Sequence, residues 1–167
     1  MKVLMISARD FEDLELFVPF YRLKEEGIEV DIASLTKGSF RGKHGYEVNA
    51  DFSINDIDPD NYEILVLPGG KAPALLRTDA KVLNVAAEFM DEGKPVAAIC
   101  HGPQILAAAG VIKGRKLTCY PEVEKDITEA GANYRDAEVI VDGNLITSRK
   151  PADLPAFNRE LIKMIKL

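Results

Sequence analysis

Short apolar runs alternate with amphipathic stretches along most of the chain. Such runs are typical of strands buried on both faces of a parallel sheet, and apolar residues three or four apart are typical of the helices that cover it. An Asp142-Gly143 pair between two further runs predicts a hairpin. We predict strands over 2–7, 29–33, 63–67, 96–99, 116–120, 138–141 and 144–147, and helices over 13–26, 82–90, 105–109, 121–130 and 154–165.

This alternation predicts a three-layer α/β fold with a mostly parallel sheet, and residues 37–52 are expected to form a small hairpin beside it. The length allows one domain with its own core, so we expect residues 1–167 to form a single domain. Pro19 predicts a kink or a missing hydrogen bond in the first helix. Ligands of such sheets bind beyond the carboxyl ends of the strands, where the predicted loops carry Glu12, Gly69-Gly70 and Cys100.

Composition narrows the classes of function. The formal charge is -6 and the basic residues form no cluster, so nucleic acid is not an expected partner. No apolar run approaches the ~18–20 residues of a membrane span, and the first residues do not resemble a signal peptide, so we expect a cytoplasmic protein without membrane contact. Cys100 and Cys119 have the spacing of neither a disulfide framework nor a zinc site, and we expect no metal and no cofactor.

Cys100 lies between a predicted buried strand and a helix that starts almost at once. Ala98 and Gly102, two positions to either side, are small enough for the sharp bend of a nucleophile elbow. The unpaired N–H groups of the helix start favour a thiolate, and we expect a lowered thiol pKa. The alternative is that Cys100 is simply a small buried apolar residue.

Gly69-Gly70 follows another predicted strand. Neither G-x-G-x-x-G nor G-x-x-x-x-G-K-[ST] is present, so a nucleotide site is not expected and the pair could be only a tight turn. Glycine also lets a backbone approach closely, and N–H groups here, together with that of His101, could stabilise an oxyanion beside Cys100.

Four side chains are candidates to assist the thiol. Glu12 is the acid expected to face Cys100, protonated if buried, and Glu15 one turn later is ranked below it. His101 is a candidate base, although a structural histidine at a helix start is an equal alternative. Tyr120 could reach the pocket from the end of the next strand, but core packing is the more usual role of such a tyrosine.

Several segments resemble the PfpI family of intracellular peptidases, within the ThiJ/PfpI superfamily. The resemblance implies a flavodoxin-like sandwich of the class I glutamine amidotransferase type, and oligomers built from dimers, often hexamers. It also implies Cys100 as nucleophile, His101 as base, Glu12 as the carboxyl bonded to the thiol, Gly70 and His101 as oxyanion donors, and Tyr120 as a pocket residue. The matching segments are 11–15, 42–46, 65–73, 97–104 and 148–154.

One position departs from the family pattern. In peptidase members, a glutamate shortly after Gly-Gly-x-Ala-Pro completes a Cys-His-Glu triad across a subunit interface, but Ala74 stands there in this chain. Without a group to orient the histidine, peptide hydrolysis loses support, because the leaving nitrogen needs a well-placed acid. The adjacent Leu75-Leu76 is expected to form an apolar patch between subunits.

The resemblance, with this departure, predicts a Cys100-dependent enzyme that acts on reactive carbonyl compounds. Glyoxalase and deglycase reactions both fit, since thiolate addition to an aldehyde needs only a reactive thiol, oxyanion donors and one acid. One alternative is an intracellular peptidase acting on small peptides. A second is a redox-sensing stress protein or chaperone, in which the cysteine is oxidised and the protein is not an enzyme.

Overall fold

The computed structural model describes residues 1–166, which form eleven strands, six α-helices and four short 3₁₀ turns. The strands are β1 (Lys2–Ile6), β2 (Glu29–Ser34), β3 (Gly38–Arg41), β4 (Glu47–Ala50), β5 (Phe52–Ser53), β6 (Ile64–Leu67), β7 (Val96–Ile99), β8 (Lys116–Leu117), β9 (Asn133–Tyr134), β10 (Ile140–Asp142) and β11 (Leu145–Ser148). The helices are α1 (Asp13–Glu25), α2 (Ala72–Leu76), α3 (Ala80–Asp91), α4 (Pro103–Ala108), α5 (Glu124–Glu129) and α6 (Leu154–Ile165).

Seven strands form the central sheet, in the order β10-β11-β7-β6-β1-β2-β5. All neighbours are parallel except β10, which pairs with β11 through the predicted hairpin. Every residue of β6 and β7 is buried, because helices cover both faces: α1 packs against α6 on one side and α3 against α4 on the other. The predicted three-layer, mostly parallel α/β fold is therefore confirmed.

Some elements begin or end at residues other than those predicted, because of proline and local packing. The predicted strand 116–120 ends at Leu117, because Tyr120 donates its N–H to the carbonyl oxygen of Cys100, at 3.0 Å, rather than continuing the ladder. The helix predicted over 121–130 begins with a 3₁₀ turn at Pro121 and is α-helical only from Glu124. Helix α1 continues through the buried Pro19 and does not end there.

The Leu75-Leu76 patch expected between subunits is not formed. Leu76 is fully buried in the chain's own core and only Leu75 is partly accessible, because α2 packs against α4. Oligomerisation stays a prediction, without this support. Large apolar side chains are exposed elsewhere, among them Leu14, Val18, Tyr21 and Tyr46 on α1 and near the β3-β4 hairpin. Among residues 1–166, no helix is long and apolar enough to cross a membrane.

The carboxyl ends of β1, β6 and β7 lie side by side, so the three loops expected to meet do meet. Glu12 donates its N–H to the Gly69 carbonyl oxygen at 3.1 Å, and Phe11 forms a β-bridge with Gly70. Cys100 follows β7, the neighbour of β6. Parallel pairing thus brings residues far apart in sequence to one edge of the sheet.

Candidate active site

Cys100 occupies a sharp bend with left-handed backbone geometry. Its φ is 64°, a conformation that non-glycine residues rarely adopt. A neighbouring strand and the loop before Pro121 hold the bend: Cys100 donates its N–H to the Ser148 carbonyl oxygen at 2.9 Å, and its own carbonyl oxygen accepts the N–H of Tyr120. A methyl group on Gly102 would overlap the Leu67 carbonyl oxygen. This is the backbone of a nucleophile elbow, in which strain is held in place by the surrounding structure.

The sulfur of Cys100 lies among hydrogen-bonding groups. Its Sγ is 3.2 Å from Nδ1 of His101, and the backbone N–H groups of Gly70 and His101 donate to it. Only 6% of the residue is accessible, and the accessible side opens into a cavity of about 660 Å³. The N–H groups of Gly70, in the glycine loop, and His101, in the elbow, therefore both point to the sulfur, where oxyanion donors were predicted.

Glu15, and not Glu12, is the carboxyl group next to the thiol. Glu15 is completely buried, accepts the Gly69 N–H at 3.0 Å and hydrogen-bonds the Cys100 side chain. Glu12 Oε2 instead lies 2.8 Å from Nζ of Lys43. The role expected for Glu12 was wrong because α1 begins at Asp13: Glu12 precedes the helix and faces the hairpin, while Glu15, in the first turn, faces the sheet.

The thiol pKa is shifted in the direction opposite to the expectation. Burial, reinforced above about pH 8 by the charge of the ionised Glu15, raises the pKa of Cys100 to about 12, while the N–H donors of Gly70 and His101 act to lower it. Helix α4 has six residues, and its terminus does not outweigh this desolvation. The sequence-based expectation of a lowered pKa was therefore wrong, and the thiol needs a base to become a nucleophile.

His101 and Glu15 are both placed beside the thiol, where they could transfer protons. Burial lowers the pKa of His101, so that its imidazole is neutral near pH 7 and can accept a proton at Nδ1. Burial, followed by the charge of Glu12, raises the pKa of Glu15 to about 8, so most of this carboxyl is protonated at pH 7 and does not repel a thiolate. The arrangement can generate a sulfur nucleophile as the thiol proton moves to His101.

Tyr120 contacts the site through its ring. It stacks on His101 with ring centroids 5.1 Å apart and lines the cavity. Sequence reasoning did not assign roles to three other lining residues, Lys43, Gln104 and Glu122. Lys43 and Gln104 lay within segments that carried the family resemblance, 42–46 and 97–104, but Glu122 had no signal in the sequence. Among residues 1–166, no cluster of three His, Cys, Asp or Glu side chains could hold a metal ion.

Glu15 should make the free energy of unfolding depend on pH. The folded protein keeps a proton on Glu15 up to about pH 8, while the unfolded chain releases it near the ordinary value of 4.5. Stability should therefore fall as pH rises through this window, by up to about 1.4 kcal/mol per pH unit, and Glu15→Gln should remove that contribution. Urea unfolding at about pH 5 and pH 8 would measure it. Glu129→Gln, at an exposed position, is the control. If the free energy of unfolding of Glu15→Gln fell with pH as steeply as that of the wild type, the prediction would be contradicted.

Comparison with known proteins gives a consistent set of relatives. The model of the DJ-1/PfpI family matches residues 1–164. The chain is similar to Deglycase PH1704 of Pyrococcus horikoshii, with 52% identity covering 99% of this chain and 100% of the relative. It is also similar to Protein/nucleic acid deglycase 2 of Escherichia coli, with 42% identity covering 98% and 97%. Among solved structures, Schizosaccharomyces pombe DJ-1 superposes with a TM-score of 0.90 at 26% identity, covering 99% of this chain and 92% of that one.

Proposed function

The chain belongs to the DJ-1/PfpI family, and we propose that it is a Cys100-dependent deglycase, which releases free amines from early adducts of dicarbonyl compounds. The observation that carries the proposal is the thiol of Cys100 placed 3.2 Å from a neutral His101 beside two backbone N–H donors. Two relatives that match nearly the whole chain are named deglycases, which supports the same reaction class.

The first chemical step replaces the amine by sulfur. The adduct carbon carries the amine, a hydroxyl group and a neighbouring ketone. As the thiol proton moves to Nδ1 of His101, the C–S bond forms and the C–N bond breaks. The leaving amine then takes that proton from His101, which becomes neutral again. The product is a hemithioacetal on Cys100. Negative charge develops on the ketone oxygen in the next step, when a proton leaves carbon, and the N–H groups of Gly70 and His101 are the donors that would stabilise it.

The second step is an internal proton transfer followed by hydrolysis. A proton leaves the sulfur-bearing carbon and returns to the adjacent ketone carbon, while the hydroxyl proton of the hemithioacetal passes to the former ketone oxygen. The hemithioacetal thereby becomes the thioester of a 2-hydroxy acid. The ionised form of Glu15 takes this proton and returns it; with a pKa of about 8, this form is a minority at neutral pH but is readily reached. Water then cleaves the thioester and restores the thiol. The sum is adduct plus water giving amine plus a 2-hydroxy acid.

Glu12 has a supporting part in this scheme. Its carboxylate neutralises Lys43 at 2.8 Å and is 3.4 Å from Nε2 of His44. The hydrogen bond to Glu12 is the main cause that raises the pKa of Lys43, and the charges of Cys100 and Glu15 add to it. The Lys43–Glu12 pair places one ammonium group near the sulfur, while the Glu12 carboxylate balances its charge at the cavity.

The proposal is tested with the methylglyoxal adduct of N-acetylarginine. We expect release of N-acetylarginine and lactate in equal amounts, at a rate above that with free methylglyoxal at its equilibrium concentration. A rate that depends only on free methylglyoxal would mean glyoxalase action and would contradict deglycation. Cleavage of casein without lactate formation would instead favour a peptidase. Inactivity in both assays, with peroxide oxidising Cys100 at low dose, would favour the redox sensor.

A further inference from the structure

His101 must adopt one tautomer to act as the base. Nδ1 faces Sγ of Cys100 at 3.2 Å, and it can accept the thiol proton only if the ring proton of neutral imidazole is on Nε2. Nε2–H is then a donor that needs an acceptor, and the same acceptor stabilises the imidazolium formed during catalysis. The side chain that accepts from Nε2 therefore determines whether His101 is a base.

Glu122 lines the same cavity as His101. It comes two residues after Tyr120, whose ring stacks on the imidazole, and a 3₁₀ turn over Pro121–Val123 places it at the cavity. Its side chain is exposed and forms no ion pair with another residue in the described chain. Ala74, which cannot accept a hydrogen bond from its side chain, lines the same cavity.

The charges around His101 distinguish Glu122 from its neighbours. Lys43 on the hairpin and Arg77 after α2 are cations that lower the pKa of His101, whereas the carboxylate of Glu122 raises it. Glu15 hydrogen-bonds the Cys100 side chain and is not among the charges that shift the pKa of His101. The other polar or titratable groups at the cavity are Glu12, Lys71, Cys100, Gln104 and Tyr120.

We propose that Glu122 is the positioning residue for His101: it accepts the Nε2–H, directly or through one water molecule, and completes a Cys100-His101-Glu122 arrangement within a single chain. The two side chains have no direct hydrogen bond in this structure, so the contact forms by rotation of the exposed glutamate or through that water. This inference rests on the proposed function, because it assigns the group that makes His101 an effective base for the thiol.

Glu122→Gln removes the charge while keeping the shape. We expect kcat for the arginine adduct to fall about tenfold or more with KM within about twofold, and Glu122→Asp to recover part of the loss. Glu124→Gln is the matched control, since it removes an exposed carboxylate two residues away and should leave kcat unchanged. Imidazole NMR titration should show a lower His101 pKa in Glu122→Gln but not in Glu124→Gln. His44 is the only other histidine in the sequence, which makes the assignment direct.

A His101→Asn background separates positioning from a structural effect. Because Glu122 acts through His101, Glu122→Gln should cause no further loss of kcat there. An equal loss in both backgrounds, or identical titrations for Glu122→Gln and Glu124→Gln, would overturn the inference. These outcomes differ from failure of the proposed function, in which Cys100→Ala would still release lactate. If Cys100→Ala is inactive while Glu122→Gln matches wild type, the deglycase proposal stands and the role of Glu122 does not.

Discussion

Cys100→Ala is expected to reduce release of lactate from the arginine adduct by roughly 10³-fold or more. The reason is covalent: without the sulfur no hemithioacetal forms, and the remaining N–H groups and proton-transfer groups have no intermediate to act on. Cys100→Ser should be similarly impaired, since a hydroxyl proton is harder to remove by a neutral histidine with a lowered pKa. Steady-state assays of purified proteins at equal concentration would measure both losses.

Cys119→Ala is the matched control for this prediction. Cys119 is the second cysteine of the chain, fully buried in the core, and it does not line the cavity. We expect its replacement to lower stability slightly and to leave turnover close to wild type. Full activity in Cys100→Ala, or equal losses in both variants, would show that the reaction does not depend on the elbow thiol.

Gly70→Ala is expected to damage both stability and catalysis. Gly70 has a φ of 84°, and a Cβ there would overlap the backbone nitrogen of Glu12 and lie 2.8 Å from the Asp10 carbonyl oxygen. The left-handed conformation costs a non-glycine residue about 1–2 kcal/mol. Displacing the packed loop adds about 1–3 kcal/mol, so we expect a total loss of roughly 3 kcal/mol. Urea unfolding would measure it.

The same substitution moves the Gly70 N–H away from Cys100. One misplaced oxyanion donor is expected to lower kcat by about 10²–10³-fold. Gly45→Ala is the matched control, because Gly45 has a φ of 96° but a Cβ there meets nothing within 4 Å. It should show only the conformational cost and retain activity. Comparable losses in the two variants would contradict the role assigned to close packing at Gly70.

Several features could be predicted from local sequence because local physics decides them. The buried runs at β6 and β7 have apolar side chains on both faces, which only a sheet covered on both sides accommodates. The small residues Ala98 and Gly102 around Cys100 indicated a sharp bend, and Cys100 has the left-handed φ that such a bend needs. Parallel order then required the three loops after β1, β6 and β7 to meet.

Other features could not be predicted because they depend on how a helix is oriented towards the sheet and on how deeply a side chain is buried. Glu12 and Glu15 are both acidic residues at the start of a helix, and only the orientation of α1 towards the sheet decides which carboxyl reaches the sulfur. The thiol pKa depends on how completely its surroundings exclude water, which no sequence motif records. Leu76 was predicted to lie at a subunit interface, but the orientation of α2 buries it in the core of its own chain.

The sequence by itself determined the layered α/β fold, the elbow at Cys100 and the group of loops around it. Hydrophobic periodicity, the positions of glycine and proline, and small residues fix the local backbone conformation through near neighbours in the chain. The tertiary structure alone decided which carboxyl group holds a proton beside the thiol, that Nδ1 of His101 lies next to the sulfur, and that Glu122 shares a cavity with that histidine. Those properties arise from burial and from charges brought together across the fold, and electrostatic energies depend on such distances in space rather than on separation along the chain.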